Sequence, residues 1–260
     1  MLQAMTSLLK ISAAIALLSL SPAFAIVGGA PAANDGAGRS VVTIVGSRGN
    51  FCSGALIASR LVLTAGHCVQ PGADYRIVEY DRDRKPQLKG IRRVAVHPAF
   101  NLQAILAHRA TADVALLELD APTKAGTPAG LGTPQLPLNA GNGFAIAGIG
   151  VTIRGDGKSG GVVRTAPLVA TGRPGTLQIR LVDPATQGTT SGLGACTGDS
   201  GGPAFEQQQS GPMIIGVISW STGPNVTDGC GGLTGVTPLT LYRDWIAQTA
   251  RQWGMPLGGN

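Results

Sequence analysis

Gly198-Asp199-Ser200-Gly201-Gly202-Pro203 places one hydroxyl among glycines. Glycine reaches positive φ and carries no Cβ, so a loop of this composition turns sharply and can aim successive N–H groups at one point, as a developing oxyanion requires. A serine hydroxyl is a poor nucleophile until a neighbouring base takes its proton, so the stretch needs a histidine and a carboxylate to orient it. Thr64-Ala65-Gly66-His67-Cys68 follows the apolar runs Ala55-Leu56-Ile57 and Leu61-Val62-Leu63. Ala112-Asp113-Val114-Ala115-Leu116-Leu117 sets an acid at the mouth of a strand. Taken singly, His67 reads as a buried structural histidine and Asp113 as a strand-end acid; their coincidence with the serine stretch favours chemistry.

In the order His, Asp, Ser these segments resemble the chymotrypsin-like (trypsin-like) serine proteases. Ile26-Val27-Gly28-Gly29, Val96-His97-Pro98, Ser219-Trp220-Ser221 and Tyr242-Arg243-Asp244-Trp245-Ile246 extend the resemblance over residues 26–250. It implies an all-β fold of two six-stranded antiparallel β-barrels, with the active site in the cleft between them and a C-terminal α-helix. The first barrel is expected at about 26–125, a connection at about 126–140 within the Pro- and Gly-rich stretch Ala121 to Gly143, and the second barrel at about 141–237. The helix is expected at about 239–253. Short Val-, Ile-, Leu- and Thr-rich runs supply the strands: Val41 to Val45, Ser53 to Ala58, Leu61 to Thr64, Arg76 to Tyr80, Ile91 to Val96 and Val114 to Leu119 in the first half. Phe144 to Gly148, Val162 to Leu168, Thr176 to Leu181, Pro203 to Phe205, Met213 to Trp220 and Gly235 to Thr237 follow in the second.

Composition agrees with a β-rich chain. Among 260 residues there are 39 Gly and 17 Pro, and charged residues make up only 13%. The net charge of +6 gathers visibly at Asp81-Arg82-Asp83-Arg84-Lys85, Lys89, Arg92 and Arg93, but the signs are mixed and no aromatics are interleaved. That pattern reads as a solvated loop and strand face and argues against a nucleic-acid partner.

Residues 1–25 carry Lys10, the apolar stretch Ile11 to Leu20 and the small-residue site Ala23-Phe24-Ala25, the pattern of a cleaved secretory signal peptide. The apolar core is about ten residues, half of what a spanning helix needs, so no membrane anchor is expected. Secreted or periplasmic localisation makes the four cysteines legible as two disulfides; three pairings are possible, and the resemblance supports Cys52 with Cys68 and Cys196 with Cys230. Spacing typical of zinc sites is missing, and no metal or cofactor is expected.

The resemblance assigns roles residue by residue. Ser200 is the nucleophile, His67 the general base and acid, and Asp113 the group that fixes the imidazole. The N–H groups of Gly198 and Ser200 form the oxyanion hole, and Asp199 pairs with the α-amino group that cleavage after Ala25 exposes on Ile26. Gly194 stands at the base of the specificity pocket beside Ala195, with Ser221 and Gly235 as small walls, while Ser219, Trp220 and Ser221 offer a strand edge to an extended peptide. With no acid at the base, a neutral or apolar P1 residue is expected in place of Lys or Arg. These readings describe a secreted, monomeric serine endopeptidase acting on proteins or peptides, with a protein inhibitor as a further partner. A catalytically silent protease-like binding protein and an esterase-like hydrolase use the same residues.

Overall fold

The computed structural model describes residues 26–257 apart from 34, 35, 81, 82, 84, 125 and 173–176. The signal segment, much of the Asp81–Lys85 cluster and Thr176 lie outside the described residues.

Twelve strands close into two barrels. The first has the order β1-β2-β3-β6-β5-β4, formed by β1 Val41–Gly46, β2 Phe51–Ala58, β3 Leu61–Thr64, β4 Tyr75–Tyr80, β5 Pro86–Val96 and β6 Ala115–Leu119. The second has the order β10-β11-β12-β9-β8-β7, formed by β7 Gly143–Gly148, β8 Arg164–Ala170, β9 Ile179–Val182, β10 Pro203–Gln208, β11 Gly211–Ser221 and β12 Thr234–Pro238. All strand pairs are antiparallel. Closure gives every strand two partners and leaves no sheet edge exposed. Irregularities at Leu56/Ala58, Ile91/Arg93, Ala204/Phe205 and Ile218/Trp220 interrupt the registers, and such bulges bend strands enough to turn a sheet on itself.

Burial follows the chemistry of each strand. Leu61–Thr64 and Ala115–Leu119 are buried throughout, whereas Pro86–Val96, which carries Lys89, Arg92 and Arg93, has no buried residue. Glu118 is an exception among buried strand residues: the hydrogen bond from Arg93, helped by the charges of Arg93, Arg92 and Arg60, holds its carboxyl below the usual carboxylate range despite burial.

The chain ends cross over. Ile26, fully buried, belongs to the core of the second barrel with Ile146, Ala166, Leu181 and Ala195. Ile246 and Ala250 of the terminal helix pack into the core that holds Leu56, Leu63 and Leu117 of the first barrel. That helix, which follows a short α1 at Leu102–Leu106 and is therefore α2, spans Arg243–Gln252. The preceding Leu239–Leu241 forms a 3-10 turn, so the helix starts later than the sequence pattern predicts. Helix α1 itself has no counterpart in that pattern. Asn101 caps it, its Oδ1 accepting from Gln103 N at 2.9 Å, but five residues are too few for an apolar period to be read. Among the described residues no helix is long and apolar enough to cross a membrane.

Candidate active site

His67 lies in the 3-10 turn Gly66–Val69, which leaves β3 at the barrel's end. A disulfide joins Cys68, next in sequence, to Cys52 of β2, so the turn is held covalently to a neighbouring strand. Asp113 sits just before β6 and is fully buried. Its Oδ2 accepts from His67 Nδ1 at 2.8 Å and from Ser219 Oγ at 2.6 Å, while Oδ1 accepts from the His67 backbone N–H at 2.9 Å. An ionised carboxylate only accepts hydrogen bonds, so the imidazole proton rests on Nδ1 and Nε2 keeps its lone pair. Ser219, expected only as part of the peptide-binding edge, also holds Asp113 through its hydroxyl from the second barrel.

The serine loop is set by its peptide planes. Thr197 C=O accepts from Val151 N–H at 2.8 Å, and in a planar trans peptide the Gly198 N–H must then point the opposite way. Asp199 C=O accepts from Gly202 N–H at 2.9 Å, which orients the Ser200 N–H by the same rule. Among the described residues neither of those two N–H groups has a protein acceptor. Gly198 has φ +96°, and a Cβ there would lie 2.8 Å from the Phe51 ring. At Gly201, with φ +81°, a Cβ would fall 2.1 Å from Thr64 Oγ1. Only glycine allows the loop this close to the wall of the first barrel.

Asp199 is the buried acid of the loop. Gly150 N–H donates to its Oδ1 at 2.8 Å and Cys196 N–H to its Oδ2 at 2.9 Å. Complete burial outweighs both bonds and pushes its carboxyl up to about 7. The predicted partner, Ile26, is buried in the same barrel, but no described contact joins the two.

His67, Gly198, Ser200, Ser219, Trp220 and Ser221 line one cleft of about 370 Å³. Cys68 Sγ lies 3.8 Å from His67 Nε2 and 3.6 Å from the Ser200 carbonyl oxygen. Among the described hydrogen bonds none links the Ser200 hydroxyl to His67. The predicted pocket residues Gly194, Ala195 and Gly235 lie outside this lining. Gly194 forms a bridge to Val27 and packs on Gly231, where a Cβ would stand 3.0 Å from the Gly231 Cα.

The register fixes how the two expected wall residues sit. Ser221 pairs with Thr234 and Trp220 with Gly235, where a Cβ would come within 2.2 Å of the indole. Gly235 is therefore the seat of Trp220, and Thr234 is the residue facing Ser221. Thr234 Oγ1 accepts from Ala195 N–H at 3.0 Å. His108, whose irregular polar surroundings mark it as an ordinary loop residue, stacks on Trp220 with ring centroids 4.8 Å apart, and Arg180 reaches the same indole at 5.6 Å. Contacts across such sequence distances leave no local signal.

Both disulfides pair as the resemblance implied: Cys52 with Cys68 and Cys196 with Cys230. Cys52, His67 and Cys68 cluster tightly enough to hold a metal ion, but their sulfurs are bonded to each other and offer no thiolate.

Paired closed β-barrels with a histidine–aspartate couple facing a glycine-rich serine loop define the chymotrypsin-like class of protein. The chain belongs to the trypsin family, whose family model matches residues 26–246. It is 32% identical over 248 residues to human "Serine protease 56", covering 86% of this chain but only 38% of that protein. It is 29% identical to "Trypsin 5G1" of Aedes aegypti, over 77% of this chain and 76% of the relative. Identity to "Coagulation factor IX" of Cavia porcellus is 27%, over 76% of this chain and 73% of the relative. The chain spans only about a third of the length of the human and mouse "Serine protease 56" proteins that it matches.

Proposed function

We propose that the protein is a secreted serine endopeptidase that cleaves peptide bonds through an acyl-enzyme. The observation carrying this reading is the fully buried Asp113 bound to His67 Nδ1 at 2.8 Å on one side of the cleft that Ser200 lines on the other. His67 Nε2 takes the Ser200 proton as Oγ attacks the substrate carbonyl, then returns it to the leaving amine. Asp113 stabilises the imidazolium in between. The N–H groups of Gly198 and Ser200 hold the oxyanion, each contributing about 3 kcal/mol to the transition state.

Cleavage after Ala25 frees the α-amino group of Ile26, which pairs with Asp199 and completes the loop, so that export itself activates the enzyme. The buried position of Ile26 and the elevated pKa of Asp199 support this: burial has left the carboxylate in need of a cation. N-terminal sequencing of the exported protein tests it, and a mature start away from Ile26 refutes it.

Around the pocket, Gly194, Ala195, Thr234 and Ser221 carry no charge. A Lys or Arg side chain would lack a counter-ion there, which supports a neutral or apolar P1 residue.

A fluorophosphonate probe should label the mature protein and leave Ser200→Ala unlabelled, while a peptide library should show cleavage after neutral residues. Labelling without peptide cleavage would indicate an esterase. Failure to label the correctly processed protein would indicate a silent binding relative.

A further inference from the structure

Ser53 is the third residue of β2 and is fully buried. Its N–H donates to Ser200 C=O at 2.8 Å, and its own C=O accepts from Thr64 Oγ1 at 2.8 Å. The hydroxyl is engaged as well: Oγ lies 2.8 Å from Gly198 C=O and 3.0 Å from Ile149 N. An amide N–H can only donate, so Oγ accepts from Ile149 and its single proton goes to Gly198 C=O. This side chain of the first barrel therefore ties the end of β7 to the serine loop of the second.

The bond matters because of where it falls. Gly198, at φ +96° and without a side chain, is the joint of the loop, and the peptide planes on its two sides can turn independently unless each carbonyl is held. Val151 N–H holds the plane before it through Thr197 C=O; the plane after it is held at both edges, by Ser53 Oγ on Gly198 C=O and by Cys196 C=O, which accepts from Asp199 N–H at 3.0 Å, so Ser53 supplies the hold that comes from the first barrel. We propose that Ser53 is a positioning residue for the oxyanion loop, its hydroxyl keeping Gly198 in the conformation that turns the Gly198 N–H toward the reacting carbonyl. The inference rests on the endopeptidase reading above. It also makes β2 serve both halves of the site, since Cys52 is bonded to the neighbour of His67 and Ser53 beside it grips both Gly198 and Ser200.

The test compares the mature protein with Ser53→Ala, measuring kcat and KM on a peptide substrate, thermal stability, and affinity for two inhibitors carrying the preferred P1 residue. One is a peptide boronate, which becomes tetrahedral on Ser200; the other is the product peptide, which does not. Displacing one oxyanion donor without removing it should lower kcat by roughly 10- to 100-fold. KM and product-peptide affinity should stay within about twofold, and boronate affinity should fall by the same factor as kcat/KM. If Ser53 is only a peg between barrels, stability drops while kcat and boronate affinity in the folded fraction do not, and the proposal is overturned. Should the alanine variant fail to fold, the comparison moves to Ser53→Cys, whose weaker donor should give the same kcat-selective loss; unchanged kcat there also overturns it. A wild-type protein that neither labels nor cleaves removes the endopeptidase reading, and this inference with it.

Discussion

The two sides of the cleft are held in different ways. On the first barrel, Asp113 receives three hydrogen bonds, one of them from the imidazole that becomes its counter-ion, and a disulfide fixes the histidine turn. On the second, Asp199 is equally buried but receives only two backbone amides, and its pKa stands near 7. Burial alone does not distinguish the two carboxylates. What differs is that the base side holds its acid partly through side chains, one of them an imidazole able to become a counter-ion, while the nucleophile side pairs its acid with amides alone among the described residues. Such an asymmetry agrees with the proposal that an amine freed on Ile26 supplies the cation for Asp199.

The largest effect should come from spoiling the finished side. Asp113→Asn presents an amide donor to Nδ1, moves the imidazole proton to Nε2, and should lower kcat by about 10⁴-fold in steady-state assays on the mature protein. Retention of activity within tenfold would mean that the couple is structural.

Next comes the unfinished side. Adding one residue ahead of Ile26 displaces the α-amino group and should lower activity by roughly 100-fold, the scale of leaving a buried charge unpaired. The same extended chain should show a pH signature. Asp199 has a folded pKa of about 7, above its ordinary value of 3.8, so the folded state holds the extra proton between those limits. Stability should therefore fall as pH rises from about 4 to about 7, by up to ~1.4 kcal/mol per unit, and level off above. Denaturant titrations across that range should show the slope, and Asp199→Asn should remove it. In the chain beginning at Ile26 the limit moves to alkaline pH: the amine, with a reference pKa of about 8, is raised by its partner, and activity should be lost as pH climbs through that value.

A smaller effect is expected at the contact between the two sides. Ser219→Ala removes one donor from Asp113 and leaves the other two in place. A loss of about tenfold in kcat/KM should follow, in line with about 1.5 kcal/mol for a hydrogen bond to a charged group. A loss comparable to Asp113→Asn would show that Ser219, and not the backbone of His67, sets the carboxylate.

Legibility of this chain in its sequence tracks how local each cause is. The β-branched runs from Val41 to Thr64 announce their strands because alternation and burial are properties of neighbouring residues. The Gly198–Pro203 stretch is equally plain, since every unusual backbone turn in it needs a glycine. Strand ends are harder to read: β10 continues through Glu206 to Gln208, polar residues that a hairpin pairing with Gly211–Met213 keeps in the ladder. That Ser221 pairs with Thr234 and Trp220 with Gly235 is a matter of register, which the long Thr222–Asp228 segment conceals in the sequence. Ser53 gives no signal because a serine in a strand looks the same whether it faces solvent or another barrel. His108 is silent for a similar reason: its partner Trp220 is more than a hundred residues away.

The crossing of the two terminal segments has a consequence for how the barrels depend on each other. Ile246 and Ala250, which follow the whole second barrel in sequence, complete the core beside the first barrel. Ile26, which precedes the first barrel in sequence, in turn fills the core of the second. Each barrel is thus plugged by a segment that lies in sequence beyond the other, so loosening either plug should be felt on both sides of the cleft.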